Sequence, residues 1–199
     1  MRPFWICGFP RSGSTIVQSV LDSSPNISCT NEQSYIHLMH DVDRMACPRL
    51  HTEAFSLPRH DFELLLQQIK KHWPKAFWEY HELRKPEAEV CGDKLPAQIK
   101  YIDWIRDWFP GSKFIITYRN KESCVASMRE NIVDYSAKQE KYAVNAYNDY
   151  KMLFDQQKDK EDVLQVNLDE ITKENVNNLF NKISKFLDVD TQFNIDLVV

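Results

Sequence analysis

Glycine is scarce in this sequence: there are four in a chain of 199 residues, against an average usage of about 7% in proteins. Glycine adopts left-handed backbone conformations without steric cost, so each of the four is expected at a position where the backbone requires such a conformation or a close approach. Two of them, Gly8 and Gly13, fall within one short segment. That segment is therefore the first place where a special backbone geometry is expected.

Cysteine does not occur in a pattern that would hold a disulfide framework or a zinc ion. The five cysteines are odd in number and widely spaced, with no Cys-x-x-Cys pair and no His-x-x-x-His nearby. They are Cys7, Cys29, Cys47, Cys91 and Cys124. Small secreted domains usually carry an even, closely spaced set, so this usage predicts a reducing compartment.

Long apolar runs and an excess of basic residues are also missing. The N-terminal stretch Phe4–Cys7 is too short for the core of a signal peptide, and no other run approaches a membrane span. Lysine and arginine number 25 against 29 acidic residues, so the net charge of -4 argues against a general nucleic-acid-binding surface. We expect a soluble, cytoplasmic protein that binds neither membranes nor nucleic acid. The net charge does not exclude a local basic pocket.

The order of predicted elements indicates an α/β fold. Apolar, β-branched runs predict strands, and apolar residues at helical spacing predict the helices between them. The predicted strands are 3–8, 26–30, 89–91, 113–118 and 163–166. The predicted helices are 14–23, 61–83 with a break at Pro74, one opened by Pro96, 121–131, 136–157, and a last amphipathic helix capped by Thr172. Residues 32–57 show no regular pattern.

This alternation predicts a three-layer architecture in which helices flank a central parallel sheet of about five strands, and the loop after the first strand, described below, makes this fold P-loop-like. A chain of this length fits a single domain, here residues 1–199. In open parallel sheets, ligands bind beyond the carboxyl ends of the strands. Loops that follow strands are therefore the first places to search for a site.

The loop after the first strand has the Gly-x4-Gly spacing of a phosphate-binding loop, from Gly8 to Gly13. Such a loop points backbone N–H groups and a helix N-terminus at one anion. The lysine of the nucleoside-triphosphate version is absent, because Ser14 occupies its place, while Arg11 supplies a bidentate donor. An ordinary strand-to-helix turn with a serine cap is the alternative. We favour anion binding, because glycines, an arginine and hydroxyl residues converge on eight positions.

Two segments together resemble sulfotransferases that use 3′-phosphoadenosine-5′-phosphosulfate (PAPS). The segment Pro10-Arg11-Ser12-Gly13-Ser14-Thr15 resembles the family's 5′-phosphosulfate loop. The segment 113–122, followed by Ser127, resembles the 3′-phosphate motif, in which a strand ends in an arginine and a serine eight residues later lies in the next helix. The resemblance implies that residues 10–15 hold the 5′ end of PAPS, while Arg119 and Ser127 hold its 3′-phosphate. An arginine after a strand is, taken alone, usually a solvated surface charge.

Two further positions resemble catalytic residues of the tyrosylprotein sulfotransferases and their bacterial relatives. Glu32 lies 21 positions after Arg11, just past the second strand, which resembles the placement of the catalytic glutamate in that branch. Lys94 stands in Gly-Asp-Lys-Leu-Pro, which is similar to Gly-Glu-Lys-Thr-Pro. The resemblance implies that Glu32 accepts the acceptor's proton, while Lys94 and Arg11 neutralise the departing phosphate without a metal. His37 and His40 are the alternative bases.

The expected function is therefore that of a sulfotransferase of the EC 2.8.2 type, with PAPS as co-substrate and a hydroxyl or amine of a small molecule, sugar or peptide as acceptor. A P-loop kinase of a nucleotide or metabolite and a non-catalytic nucleotide-binding module are the alternatives. We expect residues 33–88 to be an insertion that shapes the acceptor pocket. An aromatic group in this stretch either lines that pocket or forms a core face: Trp73, Phe77, Trp78 and Tyr80.

Overall fold

The computed structural model describes residues 1–45, 59–131 and 136–197. The strands are β1 Arg2–Gly8, β2 Ile27–Asn31, β3 Val90–Lys94, β4 Lys113–Tyr118 and β5 Val163–Asn167. The helices are α1 Ser14–Asp22, α2 Tyr35–Met45, α3 Arg59–Arg84, α4 Ile102–Trp108, α5 Lys121–Asn131, α6 Ala137–Gln157 and α7 Val176–Leu187. Short 3₁₀ turns cover Pro96–Tyr101, Leu168–Glu170 and Ile195–Leu197.

The five strands form one parallel sheet in the order β2-β3-β1-β4-β5, which confirms the predicted architecture. The register pairs Ile6 with Lys94 and Gly8 with Thr117, while Asn31 pairs with Lys94 on its other side. Because all strands run in the same direction, their carboxyl ends meet at one edge of the sheet. The loops that follow the strands therefore share this edge.

The central strand β1 explains why the fold has three layers. Its side chains alternate between the two faces of the sheet, as strand geometry requires. Trp5 and Cys7 enter a core that the sheet shares with α2 to α6, whereas Phe4 and Ile6 enter a second core with α1 and α7. All four are fully buried. Burial of one large apolar side chain contributes roughly 1.5 to 3 kcal/mol, so β1 stabilises both layers at once.

Helix α2 was not predicted, because its sequence pattern is weak. Ile36 and Met39 are fully buried and stand three positions apart, which is helical spacing. The neighbouring positions carry histidines and acidic residues, so the apolar stripe is too short to recognise in the sequence. Part of the segment predicted to shape the acceptor pocket, residues 46–58, lies outside the described residues.

The predicted break at Pro74 is wrong, because α3 continues through it. A proline inside a helix removes one hydrogen bond and usually kinks or ends the helix. Here the hydroxyl of Tyr35 lies against the helix backbone, where it donates to the carbonyl of Trp73. A side chain from another element thus bonds to the backbone next to the proline.

Two other boundaries differ from those predicted. Strand β3 extends to Lys94, because pairing with both β1 and β2 carries it beyond its apolar start. The N-cap of α7 is Asn175 rather than Thr172, so the predicted cap is wrong. The carbonyl of Thr172 instead accepts bonds from the N–H groups of Asn175 and Val176 in a turn that precedes the helix.

The described residues contain no helix that is both long enough and apolar enough to cross a bilayer. Their four cysteines, at positions 7, 29, 91 and 124, are buried free thiols, while Cys47 lies outside the described part of the chain. Burial raises the pKa of the Cys91 thiol to about 12 and that of Cys124 to about 11. These thiols are therefore core side chains with little thiolate character.

Substitution of Gly8 tests how tightly β1 approaches β4. A Cβ on Gly8 would lie 2.1 Å from the carbonyl oxygen of Thr117, and the residue has φ +130°. Gly111 also has a positive φ, of +80°, but a Cβ there would meet nothing within 4 Å. We expect Gly111→Ala to lower the free energy of unfolding by about 1 kcal/mol. We expect Gly8→Ala to lower it by at least about 3 kcal/mol. Urea unfolding of both variants measures the difference. Equal losses of unfolding free energy would show that the contact with Thr117 does not determine the cost of Gly8→Ala.

Candidate functional site

A cavity of about 430 Å³ lies at the carboxyl edge of the sheet, and it brings together nearly all of the residues that the sequence nominates. The site candidates that line it are Pro10, Arg11, Gly13, Ser14, Thr15, Glu32, Lys94, Arg119 and Ser127. They come from the loops or ends of four strands and from helices α1 and α5. Residues from distant parts of the sequence thus meet because their strands end at the same edge.

Ser12 is the one candidate of the first loop whose side chain does not line this cavity. Its hydroxyl is fully buried and lies 2.7 Å from the hydroxyl of Thr117 on β4, while its N–H donates to the carbonyl of Phe9. The N–H of Phe9 donates in turn to the carbonyl of Thr117 at 3.1 Å. Ser12 therefore fixes the loop to the sheet.

The loop reaches helix α1 through two left-handed residues, Arg11 with φ 64° and Gly13 with φ 80°. The carbonyl of Gly13 accepts the N–H groups of Ile16 and Val17 and so closes the first turn. The earlier helical N–H groups, those of Ser14 and Thr15, have no carbonyl available within the helix. They carry the partial positive charge of the helix N-terminus, which suits an anion in the cavity.

A hydrogen bond joins the two motifs that resemble phosphate-binding segments. The Nε of Arg11, in the loop after β1, donates to the hydroxyl of Ser127 on α5 at 3.2 Å. The two residues are 116 positions apart in sequence. The loop after β1 and the helix after β4 therefore form two walls of a single site.

The Nζ of Lys94 forms an ion pair with Oε1 of Glu32 at 2.7 Å. The lysine side chain is only 1% exposed, whereas that of the glutamate is 53% exposed. A buried ammonium group is costly unless it is paired, so the carboxylate stabilises the lysine where it enters the cavity. Glu32 has φ 56°, and its N–H donates to the carbonyl of Lys94 at 2.8 Å, which helps to hold this strained conformation.

Asp93 fixes the turn that carries Glu32. Its carboxylate is buried and accepts from Thr30 at 2.7 Å, from Gln98 at 2.9 Å and from the N–H of Gln33 at 3.4 Å. Burial raises the pKa of the Asp93 carboxyl, while these hydrogen bonds oppose the increase. Residues on both sides of Glu32 are thus tied to β3. Sequence reasoning missed this role, although Asp93 stands in the same Gly-Asp-Lys segment as Lys94.

Arg119 is paired with an acidic residue that was not nominated. Its Nε donates to Asp169 at 3.0 Å, and the same carboxylate accepts from the backbone and the side chain of Asn120, at 2.6 Å and 2.8 Å. Partial burial acts to raise the pKa of Asp169, but the bonds from Asn120 and Arg119 hold it below its usual value. The contact through Nε orients the guanidinium and leaves its two terminal amino groups for another anion. The sequence signal that could have identified Asp169 is its position just after the last strand, at the edge of the sheet where site residues are expected.

The histidines proposed as alternative bases lie elsewhere. His37 and His40 pack against the ring of Tyr101, with centroid distances of 5.0 Å and 4.5 Å. Neither lines the cavity that holds Glu32 and Lys94. Burial lowers the pKa of His37, which favours its neutral form. The geometry therefore favours Glu32 over these histidines as a base.

The cavity has the charge pattern of an anion site. Three cations line it, from Arg11, Lys94 and Arg119, and the carboxylate of Glu32 faces one of them. Among the described residues there is no group of three or more histidine, cysteine or acidic side chains that could hold a metal ion. Cationic side chains and backbone N–H groups are thus the anion-binding groups that this site offers.

A second cavity of about 200 Å³ lies between the end of β2 and α3. Phe77 and Tyr80 line it, while Phe77 also belongs to the core and Trp73 and Trp78 pack against that core, so three of the four aromatic residues contribute to a core face. His81 also lines it, fully buried, with Nδ1 2.7 Å from the hydroxyl of Ser28. Burial lowers the pKa of His81 to about 4, so its imidazole is neutral.

Sequence comparison decides the family. The profile described as "Sulfotransferase family" matches residues 3–192. The chain belongs to the sulfotransferase family. It is also similar to protein-tyrosine sulfotransferase 1 of Mus musculus, with 26% identity over 151 residues. This match covers 75% of the chain but only 38% of the mouse protein, so the chain spans about two fifths of the length of this relative.

Solved structures confirm the fold of this family member. The sulfotransferase from Alicyclobacillus acidocaldarius superposes with a TM-score of 0.67 at 17% identity, covering 100% of this chain and 86% of that one. The shikimate kinase from Bacteroides thetaiotaomicron gives a TM-score of 0.52 at 12% identity, covering 94% of this chain and 99% of that one. The architecture is thus common to sulfotransferases and P-loop kinases, and it does not by itself separate the two activities.

The neutral state of His81 predicts a pH dependence of stability. The usual pKa is 6.5 and the folded value is about 4, so the unfolded chain binds more protons between these limits. Stability contributed above pH 6.5 is therefore lost as the pH falls towards 4, by about 3 kcal/mol in total. We expect His81→Gln to remove this part of the pH profile in urea unfolding, while His72→Gln, at an exposed position of the same helix, leaves it unchanged. An unaltered profile in His81→Gln would contradict the assignment.

Proposed function

We propose that this sulfotransferase-family chain is an enzyme of the EC 2.8.2 type that transfers a sulfuryl group from PAPS to a hydroxyl or amine of an acceptor. The observation that carries the proposal is the bond between Arg11 and Ser127. It unites the segments that resemble the 5′-phosphosulfate loop and the 3′-phosphate motif in one cavity, next to a carboxylate and a buried lysine. A single nucleotide with charged groups at both ends would meet cations on both walls of this cavity.

The donor would be held by its two charged ends. Arg11 and the first N–H groups of α1 offer donors to the 5′-phosphosulfate, with the hydroxyls of Ser14 and Thr15 alongside. The terminal amino groups of Arg119, which Asp169 orients through Nε, offer a bidentate contact to the 3′-phosphate, together with Ser127. The 3′-phosphate would distinguish PAPS from adenine nucleotides that lack it.

The transfer step uses the ion pair between Lys94 and Glu32. Glu32 accepts the proton of the acceptor hydroxyl, the hydroxyl oxygen forms a bond to sulfur, and the bond between sulfur and the phosphate oxygen breaks. Protonation neutralises Glu32 as negative charge grows on the departing phosphate. Lys94 can then exchange its contact with the glutamate for one with the phosphate, aided by Arg11. The buried cation thus has an anionic partner before and after transfer.

The acceptor is proposed to bind in the segment 33–88, whose described parts are 33–45 and 59–88. Its chemical type is a small molecule, a sugar or a peptide. The cysteine pattern supports a cytoplasmic location, because no pair is arranged as a disulfide framework. No binding of membrane or nucleic acid is proposed.

The alternatives differ in the ligand that they bind. A kinase would bind ATP with magnesium, although Ser14 stands where the phosphate-binding lysine of a P-loop kinase lies. Calorimetry with adenosine 3′,5′-bisphosphate, AMP and ATP separates them: preference for the bisphosphate without magnesium supports a sulfotransferase. Magnesium-dependent ATP binding supports a kinase. Binding of the bisphosphate without transfer to any acceptor supports a non-catalytic module.

Arg119→Ala tests the 3′-phosphate site. We expect binding of adenosine 3′,5′-bisphosphate to weaken by about 1.5 to 3 kcal/mol, because a charged hydrogen-bonding partner is lost. AMP lacks the 3′-phosphate, so its affinity should change little. Arg129→Ala is a matched control, because Arg129 pairs with Glu140 outside the cavity. Calorimetry on the three proteins measures both ligands, and equal losses for AMP and the bisphosphate would contradict the assignment.

Glu32→Gln tests the general base. The amide keeps an oxygen that can accept from Lys94 but cannot take a proton, so nucleotide binding should persist while turnover falls at least about a hundredfold. Glu130→Gln, at an exposed position of α5, is the control. Turnover is followed by chromatography as conversion of PAPS to adenosine 3′,5′-bisphosphate with phenols, sugars and tyrosine peptides as acceptors. Near-normal turnover would remove Glu32 from the mechanism.

A further inference from the structure

Asp169 lies in the short 3₁₀ turn Leu168–Glu170 that follows β5, which we call the β5 turn. Its side chain is only 23% exposed, and its three hydrogen bonds are divided between its two carboxylate oxygens. Oδ1 accepts the Nε–H of Arg119 at 3.0 Å. Oδ2 accepts the backbone N–H and the side-chain amide of Asn120, at 2.6 Å and 2.8 Å. The carboxylate therefore holds two consecutive residues just beyond the end of β4.

Asn120 connects this carboxylate to the start of α5. Its side-chain oxygen accepts the N–H of Ser123, three positions further on, at 2.8 Å. This is the bond of an N-cap residue, which satisfies a free N–H group of the first helical turn and fixes where the helix begins. Ser127 lies in the second turn of α5, so its place beside Arg119 depends on this cap. Asp169 thus holds Arg119 directly and Ser127 through the helix.

The β5 turn also contacts the loop after β1. A Cβ on Gly13 would lie 3.2 Å from Cγ of Leu168, so the leucine side chain packs closely against the glycine of the phosphate-binding loop. The turn itself is held by Asn167, whose side-chain oxygen accepts the N–H of Asp169 at 3.2 Å. One short turn therefore touches both of the segments that form the walls of the cavity.

The charge of Asp169 and the geometry that it imposes act in opposite directions on an anionic ligand. A carboxylate beside Arg119 repels a phosphate, so by charge alone its removal should strengthen the binding of any anion at this wall. In the other direction, a guanidinium that is held through Nε presents its two terminal amino groups as a fixed pair, which matches two oxygens of one phosphate. The sign of the change on removal of the carboxylate therefore shows which of the two effects is larger.

We propose that Asp169 is the positioning residue that makes this site selective for a nucleotide with a 3′-phosphate. It orients Arg119 and the start of α5, so that the guanidinium and the hydroxyl of Ser127 meet the phosphate together. Its negative charge opposes the binding of anions that do not use this geometry, which adds to the selectivity. The inference rests on the proposed sulfotransferase function, because it takes the 3′-phosphate of PAPS as the group that is recognised.

Asp169→Asn tests the inference, because it keeps the shape of the side chain but removes its charge and one of its acceptor oxygens. The amide cannot accept all three hydrogen bonds, so Arg119 or Asn120 loses its partner. Calorimetry without magnesium compares adenosine 3′,5′-bisphosphate with AMP. We expect the bisphosphate to bind at least about fivefold more weakly, although the site has become more positive. AMP lacks the 3′-phosphate, so its affinity should change by less than about twofold.

Glu170→Gln is the matched control, because it removes the same charge from the next residue of the β5 turn. The glutamine oxygen can still accept the bond that Asn167 donates to Glu170 at 2.7 Å. We expect the affinity for the bisphosphate to stay within about twofold of the wild-type value. Tighter binding of the bisphosphate by Asp169→Asn would overturn the inference, since the carboxylate would then act by charge alone. Equal losses in the two variants, or equal losses for AMP and the bisphosphate in Asp169→Asn, would also overturn it.

A second variant keeps the test independent of the folding of Asp169→Asn. Arg119→Lys retains the positive charge but replaces the planar fork by one ammonium group, which cannot be held by Asp169 and also present a fixed pair of donors. We expect binding of the bisphosphate to weaken at least about fivefold. Arg129→Lys, at the arginine that pairs with Glu140 outside the cavity, should leave it unchanged. Wild-type affinity in Arg119→Lys would overturn the inference, because an oriented guanidinium would not be needed.

The wild-type protein separates this inference from the proposed function. Equal affinities of the wild-type chain for AMP and the bisphosphate would overturn the proposed donor, and the inference with it. A preference for the bisphosphate that persists undiminished in Asp169→Asn would overturn only the role of Asp169 and leave the donor assignment intact. A preference that is present in the wild-type chain, reduced in Asp169→Asn and retained in Glu170→Gln would support both.

Discussion

The parallel direction of the five strands is the constraint on which the rest of the molecule depends. It places the loop after β1, the turn after β2 and the ends of β3, β4 and β5 along one edge. Single residues at these ends, such as Glu32, Lys94 and Arg119, can then share a cavity although they are far apart in sequence. The close approach of β1 and β4 sets the position of the anion-binding loop, because Ser12 and Phe9 are both bonded to Thr117.

Charge within this edge is arranged in pairs. Lys94 is buried against the partly exposed Glu32, and Arg119 is oriented by Asp169. A buried ion pair is weak evidence for stability, because desolvation offsets much of its attraction. The pairs matter here because they position the cations. Each carboxylate holds its cation at the cavity wall and leaves part of that cation's hydrogen-bonding capacity unused.

The sequence predicted the parts of the molecule that have local signals. The apolar run of β4 and the glycine spacing after β1 are such signals, and the two nominated phosphate motifs do line one cavity. Sequence reasoning could not predict features that depend on distant partners. Asp169 contacts Arg119 from 50 positions away, and although its place after the last strand puts it at the right edge of the sheet, no local pattern shows which cation it meets. Helix α2 was missed for a related reason, since its burial rests mainly on Ile36 and Met39 and its other positions resemble a polar loop.

Helix α3 continues through Pro74, and a residue from another element contacts it there. The hydroxyl of Tyr35, on α2, donates to the carbonyl of Trp73 immediately before the proline. Tyr35 begins α2 only three residues after Glu32. The course of α3 at its proline is therefore linked, through one side chain, to the turn that presents the carboxylate.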